Sequence, residues 1–387
     1  MLRVLTLSTL FPDATRPNFG VFVERQTLGL AAHPDVELKV AAPRGLPPFP
    51  LDRHPHYAAL RSLPDRETWK GLDLYRPRFA AVPGTKGRFH AAALVRALTP
   101  VLDAIRADFA FDVIDAEFFF PDGPAATALG KRYGVPVSIK ARGADIHHWG
   151  RAAATARQVR DAACTADGLL AVADALKADM VALGMPADRI RVHHTGVDLA
   201  VFQPRAGQAG GDPLVASVGA LIPRKGHDLT IRAVASLPGV RLKIAGEGPE
   251  RARLERLIIE LGVADRVQLL GSIPHADLPA LLATADVLAL PSSSEGLANA
   301  WVEAVASGTP VVTCDIGGAR EVIDRPEAGR IAAREPGAIA AAIAELLANS
   351  PDPLAVRAAA ARFTWEANTG ALYDHLSGLV AAQASSG

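Results

Sequence analysis

The sequence predicts an α/β protein of two domains, each a parallel sheet with helices on both faces. Short apolar runs of strand length alternate with helical segments in both halves of the chain, a pattern typical of parallel sheets. At 387 residues the chain exceeds the size at which one hydrophobic core keeps growing, which favours two domains. The alternation also begins afresh near Leu214.

The composition excludes several classes of protein. Hydrophobic residues make up 49% of the chain, which excludes a disordered protein, and 41 basic residues balance 41 acidic ones. No overall field draws the protein to nucleic acid and no nucleic-acid motif is present, so a membrane contact would have to be a local patch. Cys164 and Cys314 have no metal-ligand partners nearby in the sequence, and we expect both to be reduced, buried and inert.

The N-terminal residues 1–12 admit two interpretations, a signal peptide or a first strand that ends at a ligand loop. The strand is favoured because no small-residue cleavage site follows. No run of about 18 apolar residues is present in the sequence. We therefore expect a cytoplasmic protein, with peripheral contact at the inner face of the cell membrane left open.

Residues 43–90 read as an irregular region, rich in proline and arginine and interleaved with aromatic residues. A long loop in a compact domain is usually functional or mobile. It could attract an anionic or lipid-linked acceptor by charge. The favoured alternative is a solvated loop whose arginines pair with Asp65, Glu67 and Asp73. The strands predicted around it in the first half are 4–7, 36–41, 113–116, 135–139 and 168–172.

Residues 288–312 form one strand, loop, helix and strand step with its polar residues in the loop. The first apolar run ends at Pro291 and three serines, and the apolar spacing over 300–306 predicts a helix packed on a sheet. Ligands of such sheets bind at the carboxyl ends of the strands. The backbone N–H groups that open the helix favour a phosphate or another anion. They belong to Gly296, Leu297, Ala298 and Asn299.

Glu295 and Glu303 bracket the start of this helix. Along a continuous helix they would lie about 12 Å apart and about 80° out of phase. This spacing does not enforce an acid and base pair, and it better fits an elongated ligand held at two places. The simpler interpretation is a Glu295 that complements the helix dipole and a Glu303 on the surface.

Together with its neighbours, this stretch resembles the signature of retaining family 4 glycosyltransferases, whose GT-B fold has two Rossmann-like, doubly wound domains facing across a cleft. The resemblance implies that Glu303 holds the ribose hydroxyls of a nucleotide and that Glu295 faces the transferred sugar. It is greatest to bacterial enzymes of surface-polysaccharide synthesis, such as the teichuronic-acid type. The residues that carry it are Glu295-Gly296, Asn299, Glu303-Ala304, Gly308, Pro310-Val311-Val312 and Gly317-Gly318.

Two adjacent cations lie beside a glycine at the first strand-to-helix turn of the second half. Such cations can neutralise a diphosphate, and the resemblance assigns this role to Lys225. The second family cation normally follows the glycine at Gly219. Here that place is Ala220, and we infer that Arg224 compensates. Two merely solvated turn cations are the weaker alternative, because the turn lies at the same strand edge as Glu295.

Two further loops of the second half match the family. The turn Gly246-Glu247-Gly248-Pro249 lacks the third glycine of a dinucleotide fingerprint, which argues against a Rossmann dehydrogenase. The resemblance implies that Gly246 and Gly248 line the diphosphate side of the donor pocket. It also implies that backbone groups around Ile273 contact the base, with a UDP-sugar favoured.

Loops of the first half resemble the acceptor side of the same family. The family places the loop after the first strand beside the acceptor, which suggests a role for Asn18 and Gly20, although a turn with a helix cap explains them equally well. Asp115, Glu117 and Arg142 stand where many family members carry histidines. We expect Arg142 to bind charge or orient the sugar, because a guanidinium cannot act as a base.

The domain boundaries follow from the resemblance. Residues 1–197, joined by a final helix over 365–384, are predicted to form the acceptor-side domain. Residues 198–364 are predicted to form the donor-binding domain. Arg205 to Gly211 has the composition of an exposed connector.

The predicted reaction is retaining transfer of a sugar from a nucleotide-diphosphate donor to a glycan or lipid-linked acceptor, without a metal or a further cofactor. By analogy, the leaving diphosphate oxygen accepts the acceptor proton, and the protein contributes positioning and charge stabilisation. Two alternatives stay open. One is a nucleotide-sugar epimerase with Asp115 and Glu117 as acid and base. The other is a sugar-binding protein without catalysis, which the missing export signal disfavours.

Overall fold

The computed structural model describes residues 1–204 and 211–386, and the chain divides into two compact units. Unit 1 comprises Met1–His194 and the C-terminal segment that begins at Trp365, and unit 2 comprises Thr195–Thr364. The first predicted boundary, between residues 197 and 198, lies three residues after the structural one. Except for Gly211, the predicted connector lies outside the described residues.

The strands and helices alternate through both units. The strands are β1 (Leu2–Leu7), β2 (Val36–Ala41), β3 (Arg44–Leu46), β4 (Arg66–Trp69), β5 (Leu72–Tyr75), β6 (Arg78–Ala80), β7 (Val113–Ala116), β8 (Val137–Ala141), β9 (Gly168–Ala171), β10 (Ile190–Val192), β11 (Leu214–Val218), β12 (Arg241–Ala245), β13 (Val267–Gly271), β14 (Val287–Ala289), β15 (Val311–Thr313) and β16 (Gly329–Ile331). The helices are α1 (Val21–Ala31), α2 (Ala58–Ser62), α3 (His90–Asp108), α4 (Asp122–Tyr133), α5 (Ala156–Thr165), α6 (Asp174–Ala182), α7 (His227–Ala235), α8 (Arg251–Glu260), α9 (Leu278–Thr284), α10 (Asn299–Ala306), α11 (Ala319–Val322), α12 (Pro336–Ala348), α13 (Pro353–Ala358) and α14 (Trp365–Ser386).

The main sheet of unit 1 has the strand order β10-β9-β8-β7-β1-β2-β5-β4. Its neighbouring strands are parallel except for β4, which pairs antiparallel with β5. The central strands β7, β8 and β9 are buried along their whole length, as expected for parallel strands covered by helices on both faces. The order reverses between β1 and β7, and ligands of such sheets bind at the carboxyl ends beside that reversal.

The sheet of unit 2 is parallel, with the order β13-β12-β11-β14-β15-β16. Here the order reverses between β11 and β14. The loops that leave these two strands therefore border the crevice in which a doubly wound sheet binds its ligand. The fold class predicted from the sequence is confirmed for each unit, and the loop predicted over residues 292–299 does connect β14 to α10.

The prediction of an irregular region over residues 43–90 is wrong in part. The region contains β3 to β6, and β5 joins the main sheet beside β2. After β2 and β5 have ended, β3 and β6 pair with each other in a separate two-stranded parallel sheet. The strands β3 to β6 have three or four residues each. Pro43 lies between β2 and β3, and Pro77 lies between β5 and β6. The sequence therefore contains no alternation long enough to reveal them.

Some of the arginines of this region pair with Asp65, Glu67 and Asp73, the acids that the favoured interpretation named. Arg76 Nε lies 2.5 Å from Glu67 Oε1, and Arg66 Nε lies 2.9 Å from Asp73 Oδ1. The buried Arg44 guanidinium pairs with Asp65. Each of these cations is therefore neutralised within unit 1.

Helix α14 packs on unit 1. Its Leu372 and Leu376 join a core cluster with residues of β1 and β2. The Tyr373 ring stacks on His33 at 4.0 Å between centroids, and His375 Nε2 lies 3.1 Å from Ser138 Oγ. Among the described residues, no helix combines the length and the apolar character needed to cross a membrane.

The two cysteines differ in their exposure to solvent. Cys314 is buried, as expected, whereas Cys164 on α5 is exposed. The expectation of a buried side chain is therefore wrong for Cys164.

Candidate functional site

Two strand-end turns of unit 2 lie against each other where β11 and β12 end. Gly219 N donates to Ala245 O at 3.0 Å. A Cβ on Gly246 would lie 1.9 Å from Gly219 O, and one on Gly248 would lie 2.4 Å from Leu221 O. Glycine is required at positions 246 and 248 because the backbones approach this closely. The structure thus explains both glycines by packing, and their contact with a diphosphate stays a prediction.

Glu295 lies between two cations at the same edge of the sheet. Lys225 Nζ lies 2.5 Å from Glu295 Oε1, and Arg224 Nη1 lies 3.2 Å from Glu295 Oε2. The side chains of Glu295 and Lys225 are only 9% and 13% exposed, whereas that of Arg224 is 40% exposed. Arg224 is therefore the cation of this group that is most open to solvent.

The electrostatics of this cluster keep the carboxylate charged. Burial acts to raise the pKa of Glu295, but the charges of Lys225 and then Arg224 hold that pKa below its ordinary value. Burial lowers the pKa of Lys225, and the attraction of Glu295 opposes that shift. Two cations facing one carboxylate leave one unit of positive charge to be shared with an anionic ligand.

Backbone contacts fix the two loops that carry these side chains. Ser293 N donates to Arg224 O at 2.7 Å, and Arg224 Nη1 donates to Ser294 O at 2.9 Å. Gly226 has φ 71°, and a Cβ there would lie 2.5 Å from Pro291 O. Arg334, which sequence reasoning missed, donates from Nε to the same Pro291 carbonyl at 3.0 Å. The β11 loop and the β14 loop therefore hold a fixed relative position.

The start of α10 follows Glu295 directly. Ala298 is extended at the N-cap and Asn299 begins the helix, so Gly296 and Leu297 lie in the loop before it. Trp301 N donates to Ala298 O at 3.0 Å, and the earlier amides of the first turn have no acceptor within the helix. Gly318 N donates to Gly296 O at 2.7 Å. A Cβ on Gly317, which has φ 47°, would lie 2.4 Å from Glu295 O. The glycine pair predicted to belong to the motif thus shapes the turn that presents these amides.

Glu303 lies within α10 and is held by a histidine that sequence reasoning missed. His275 Nε2 lies 2.9 Å from Glu303 Oε1, and the His275 ring meets Phe202 edge-on at 5.7 Å between centroids. His275 follows β13 in the same loop as the half-buried Ile273. The position of His275 in the loop after β13 is the one sequence feature that could have suggested its role. His275 and Glu303 are 28 residues apart, so no periodic spacing connects them.

A buried polar cluster lies in unit 1 at the reversal between β1 and β7. The Arg142 guanidinium pairs with the Glu117 carboxylate, and Arg142 Nε donates to Glu117 O at 2.8 Å. The Gln26 amide bonds both Glu117 and Lys140. Lys140 Nζ lies 2.5 Å from His193 Nδ1. Sequence reasoning missed Gln26, Lys140 and His193, although a lysine inside the apolar strand β8 was a visible anomaly.

Burial and neighbouring charges shift the pKa values of the ionisable groups in this cluster. Burial and then the neighbouring Glu117 raise the pKa of Asp115 well above its ordinary value. Burial also acts to raise the pKa of Glu117, but Arg142 and Lys140 hold it low. Burial, reinforced by Arg142, lowers the pKa of Lys140 to about 7. Glu117 is therefore held in its charged form beside the permanent cation of Arg142, as a buried ion pair requires.

These positions revise the roles expected for the first half. Arg142 and Glu117 are 7% and 0% exposed and bind each other, so Arg142 stabilises a buried carboxylate where a ligand-facing cation was expected. Asp115 is also buried. Gly20 has φ 73°, and a Cβ there would lie 2.4 Å from Leu10 O; the close approach accounts for this glycine. Asn18 is exposed on the preceding turn.

Comparison with known families agrees with the fold and the motifs. Residues 20–201 match the family described as Glycosyltransferase Family 4, and residues 202–363 match the family described as Glycosyl transferases group 1. The fold and the strand-end motifs therefore define a GT-B protein of the glycosyltransferase class. The chain belongs to the family 4 and group 1 glycosyltransferases.

Curated relatives and solved structures point to the same class. D-inositol 3-phosphate glycosyltransferase of Mycobacterium tuberculosis is 39% identical over 229 residues, which are 54% of this chain and 48% of the relative. The match thus spans about half the length of the curated relatives. Sucrose-phosphate synthase from Thermosynechococcus elongatus superimposes with a TM-score of 0.81 at 22% identity, covering 99% of this chain and 100% of that one. Anabaena HepE in complex with UDP gives 0.75 at 19% identity, covering 98% and 100%.

Proposed function

We propose that this protein transfers a sugar, with retention of anomeric configuration, from a nucleotide-diphosphate donor to a glycan or lipid-linked acceptor. The donor is bound by unit 2, and a UDP-sugar is favoured. The observation that carries the proposal is the cluster of Lys225, Arg224 and Glu295 beside the first amides of α10. Support for the donor class comes from HepE, which has been solved with UDP and with UDP-glucose.

The cluster suits the departure of a nucleoside diphosphate. Negative charge grows on the diphosphate as the bond to the sugar breaks, and fixed cations and amide dipoles stabilise it best when they need no rearrangement. Here Lys225 and Arg224 supply the fixed cations, and the N-terminus of α10 supplies the amide dipoles. Glu303, oriented by His275, offers a carboxylate that accepts hydrogen bonds from paired hydroxyls. The leaving oxygen takes the proton of the acceptor hydroxyl, so the protein supplies no separate base.

The structure gives no support to the epimerase alternative. That reaction needs an acid and a base that reach the sugar, and Asp115 and Glu117 are the candidates. Both are buried, and Glu117 is bound by Arg142 and Gln26. Surface-polysaccharide or cell-envelope synthesis remains the proposed setting, as the resemblance implies.

Incubation with radiolabelled UDP-sugars and candidate acceptors tests the reaction. Free UDP together with a labelled glycan or lipid supports transfer. An isomeric UDP-sugar would indicate epimerisation, and unchanged donor that merely binds would indicate a binding protein. Either of these last outcomes contradicts the proposal.

Glu303→Ala is expected to weaken UDP binding. A ribose hydroxyl would lose hydrogen bonds to a carboxylate that are worth about 1.5 to 3 kcal/mol. Titration calorimetry with UDP measures the change. The matched control is Glu345→Ala, which also removes an ion-paired glutamate of unit 2 but from the exposed partner of Arg330. Equal UDP affinity in the Glu303 variant and the parent would remove Glu303 from the site.

Activity is expected to persist in the presence of EDTA. Two cations and a helix N-terminus already face the proposed diphosphate position, so a divalent metal is not needed to neutralise it. The measurement is the transfer rate after chelation and again after addition of manganese. Complete loss of activity with EDTA, followed by recovery with manganese, would show that the donor binds together with a metal ion and would contradict this expectation.

A further inference from the structure

Two exposed segments of unit 1 leave β3 and β6 side by side. The strands are parallel, with Leu46 paired to Ala80, and Ala81 N donates to Leu46 O at 2.8 Å. Parallel neighbours end at the same edge of their sheet. Residues 47–57 and 81–89 therefore emerge together, and we call these two segments the β3–β6 loops.

The β3–β6 loops concentrate exposed apolar side chains. Nine large hydrophobic side chains are exposed in the described part of the chain, and four of them lie on these loops. Two are phenylalanines, 71% and 54% exposed. Clustered exposed apolar side chains mark surfaces that bind a partner or a membrane. The four are Phe49, Leu51, Val82 and Phe89.

Basic side chains accompany these apolar ones. Arg53, Lys86 and Arg88 are exposed, whereas Asp52 is the one acid in the sequence of the two segments. The Arg53 guanidinium lies over the Phe49 ring at 4.9 Å from its centroid. Aromatic rings beside cations suit the interface of an anionic bilayer, where the rings enter the headgroup region and the cations meet phosphates. A protein partner would not require this combination.

The backbone of the second segment is anchored to unit 1. A Cβ on Gly87 would lie 2.8 Å from the Trp149 ring, and Gln158 Nε2 donates to Arg88 O at 3.1 Å. Phe79 of β6 and His90 of α3 meet edge-on at 6.1 Å between centroids. Because the segment is ordered in advance, its side chains can enter an interface without a further entropic cost of folding.

We propose that the β3–β6 loops are a docking surface for an anionic lipid bilayer. Backbone pairing continues from β2 and β5 into β3 and β6, with Ala42 N donating to Tyr75 O at 2.7 Å and Arg44 N to Pro77 O at 3.0 Å. Docking would therefore bring the carboxyl ends of β2 and β5 towards the lipid headgroups. A lipid-linked acceptor would then be met at the membrane surface. This last step rests on the proposed function, whereas the docking does not.

Vesicle sedimentation tests the docking. The full-length protein is expected to bind vesicles of phosphatidylcholine and phosphatidylglycerol in equal parts, to bind pure phosphatidylcholine weakly, and to dissociate as salt is raised. Phe49→Ala/Phe89→Ala should lower the partition coefficient at least about tenfold, because two rings no longer enter the interface. Lys86→Ala/Arg88→Ala should lower it about fivefold per cation.

The matched control is Ile259→Ala/Leu354→Ala, which removes two side chains of unit 2 that are 72% and 68% exposed. Its vesicle binding should equal that of the parent. Equal binding by the Phe49/Phe89 variant, or no preference for anionic vesicles, would overturn the proposal. So would self-association of the parent in sedimentation equilibrium that the phenylalanine substitutions abolish, because the partner would then be a second copy. UDP calorimetry on the same variants shows separately whether the proposed donor site is intact.

Discussion

Lys225→Ala is expected to lower the turnover of sugar transfer by about 10²- to 10³-fold, the usual effect of removing one fixed group that stabilises transition-state charge. Lys225 is nearly buried and lies 2.5 Å from Glu295, so its charge is neither screened by water nor free to move. UDP binding should weaken less than turnover, because the negative charge on the diphosphate is greatest when the bond breaks. Steady-state kinetics and UDP calorimetry on the same preparation measure both effects.

A second effect of this substitution must be separated from the first. Without Lys225, Arg224 at 3.2 Å is the one charged partner left to Glu295 among the described residues, which destabilises a buried carboxylate. Lys225→Ala/Glu295→Gln removes that carboxylate charge and should recover thermal stability but not turnover. Lys225→Arg keeps the cation and should retain part of the activity. Parental turnover in Lys225→Ala would contradict the role of Lys225 in catalysis.

The sequence predicted the fold of unit 2 well, and its candidate site lies in loops between regular elements. Lys225, Glu295 and the start of α10 each follow the end of a strand within ten residues. Parallel strands bring such loops to one edge of the sheet whatever their separation in sequence. The position of a residue at a strand end can therefore be predicted from the sequence without knowledge of its side-chain contacts. The side-chain contacts themselves could not be predicted. His275 contacts Glu303, and Arg334 contacts Pro291, although these partners are 28 and 43 residues apart in the sequence and share no periodic pattern.

Unit 1 was harder to predict for two physical reasons. The strands β3 to β6 have only three or four residues each and are stabilised by pairing and by arginine–carboxylate contacts. No run of their own residues is long enough to mark a strand in the sequence. The position of Arg142 at a strand end suggested a cation that binds charge or orients the sugar. Whether a strand-end side chain points outward or folds back onto a neighbouring strand depends on the partner available, and Glu117 on the β7 loop is that partner.

Arg142→Ala is expected to destabilise unit 1 by about 3 to 5 kcal/mol, the usual cost of leaving one partner of a buried ion pair unpaired. Glu117 is fully buried, and Arg142 supplies both its salt bridge and a bond to its backbone carbonyl. Among the described residues, Lys140 Nζ bonds Gln26 and His193, so Arg142 is the cation in direct contact with Glu117. Hydrogen exchange of peptides from β7 and β8 reports the stability of unit 1 separately from unit 2.

Two comparison variants decide between this role and the ligand-facing role that the sequence suggested for Arg142. Arg142→Ala/Glu117→Gln removes both charges and should recover most of the protection lost in the single variant. Arg157→Ala, which breaks an exposed pair with Asp161 on α5, should change protection little. If Arg142→Ala keeps parental protection and UDP affinity yet loses sugar transfer, its guanidinium acts on the sugar or the acceptor. If protection falls and Glu117→Gln restores both protection and transfer, Arg142 acts by holding a buried carboxylate in place.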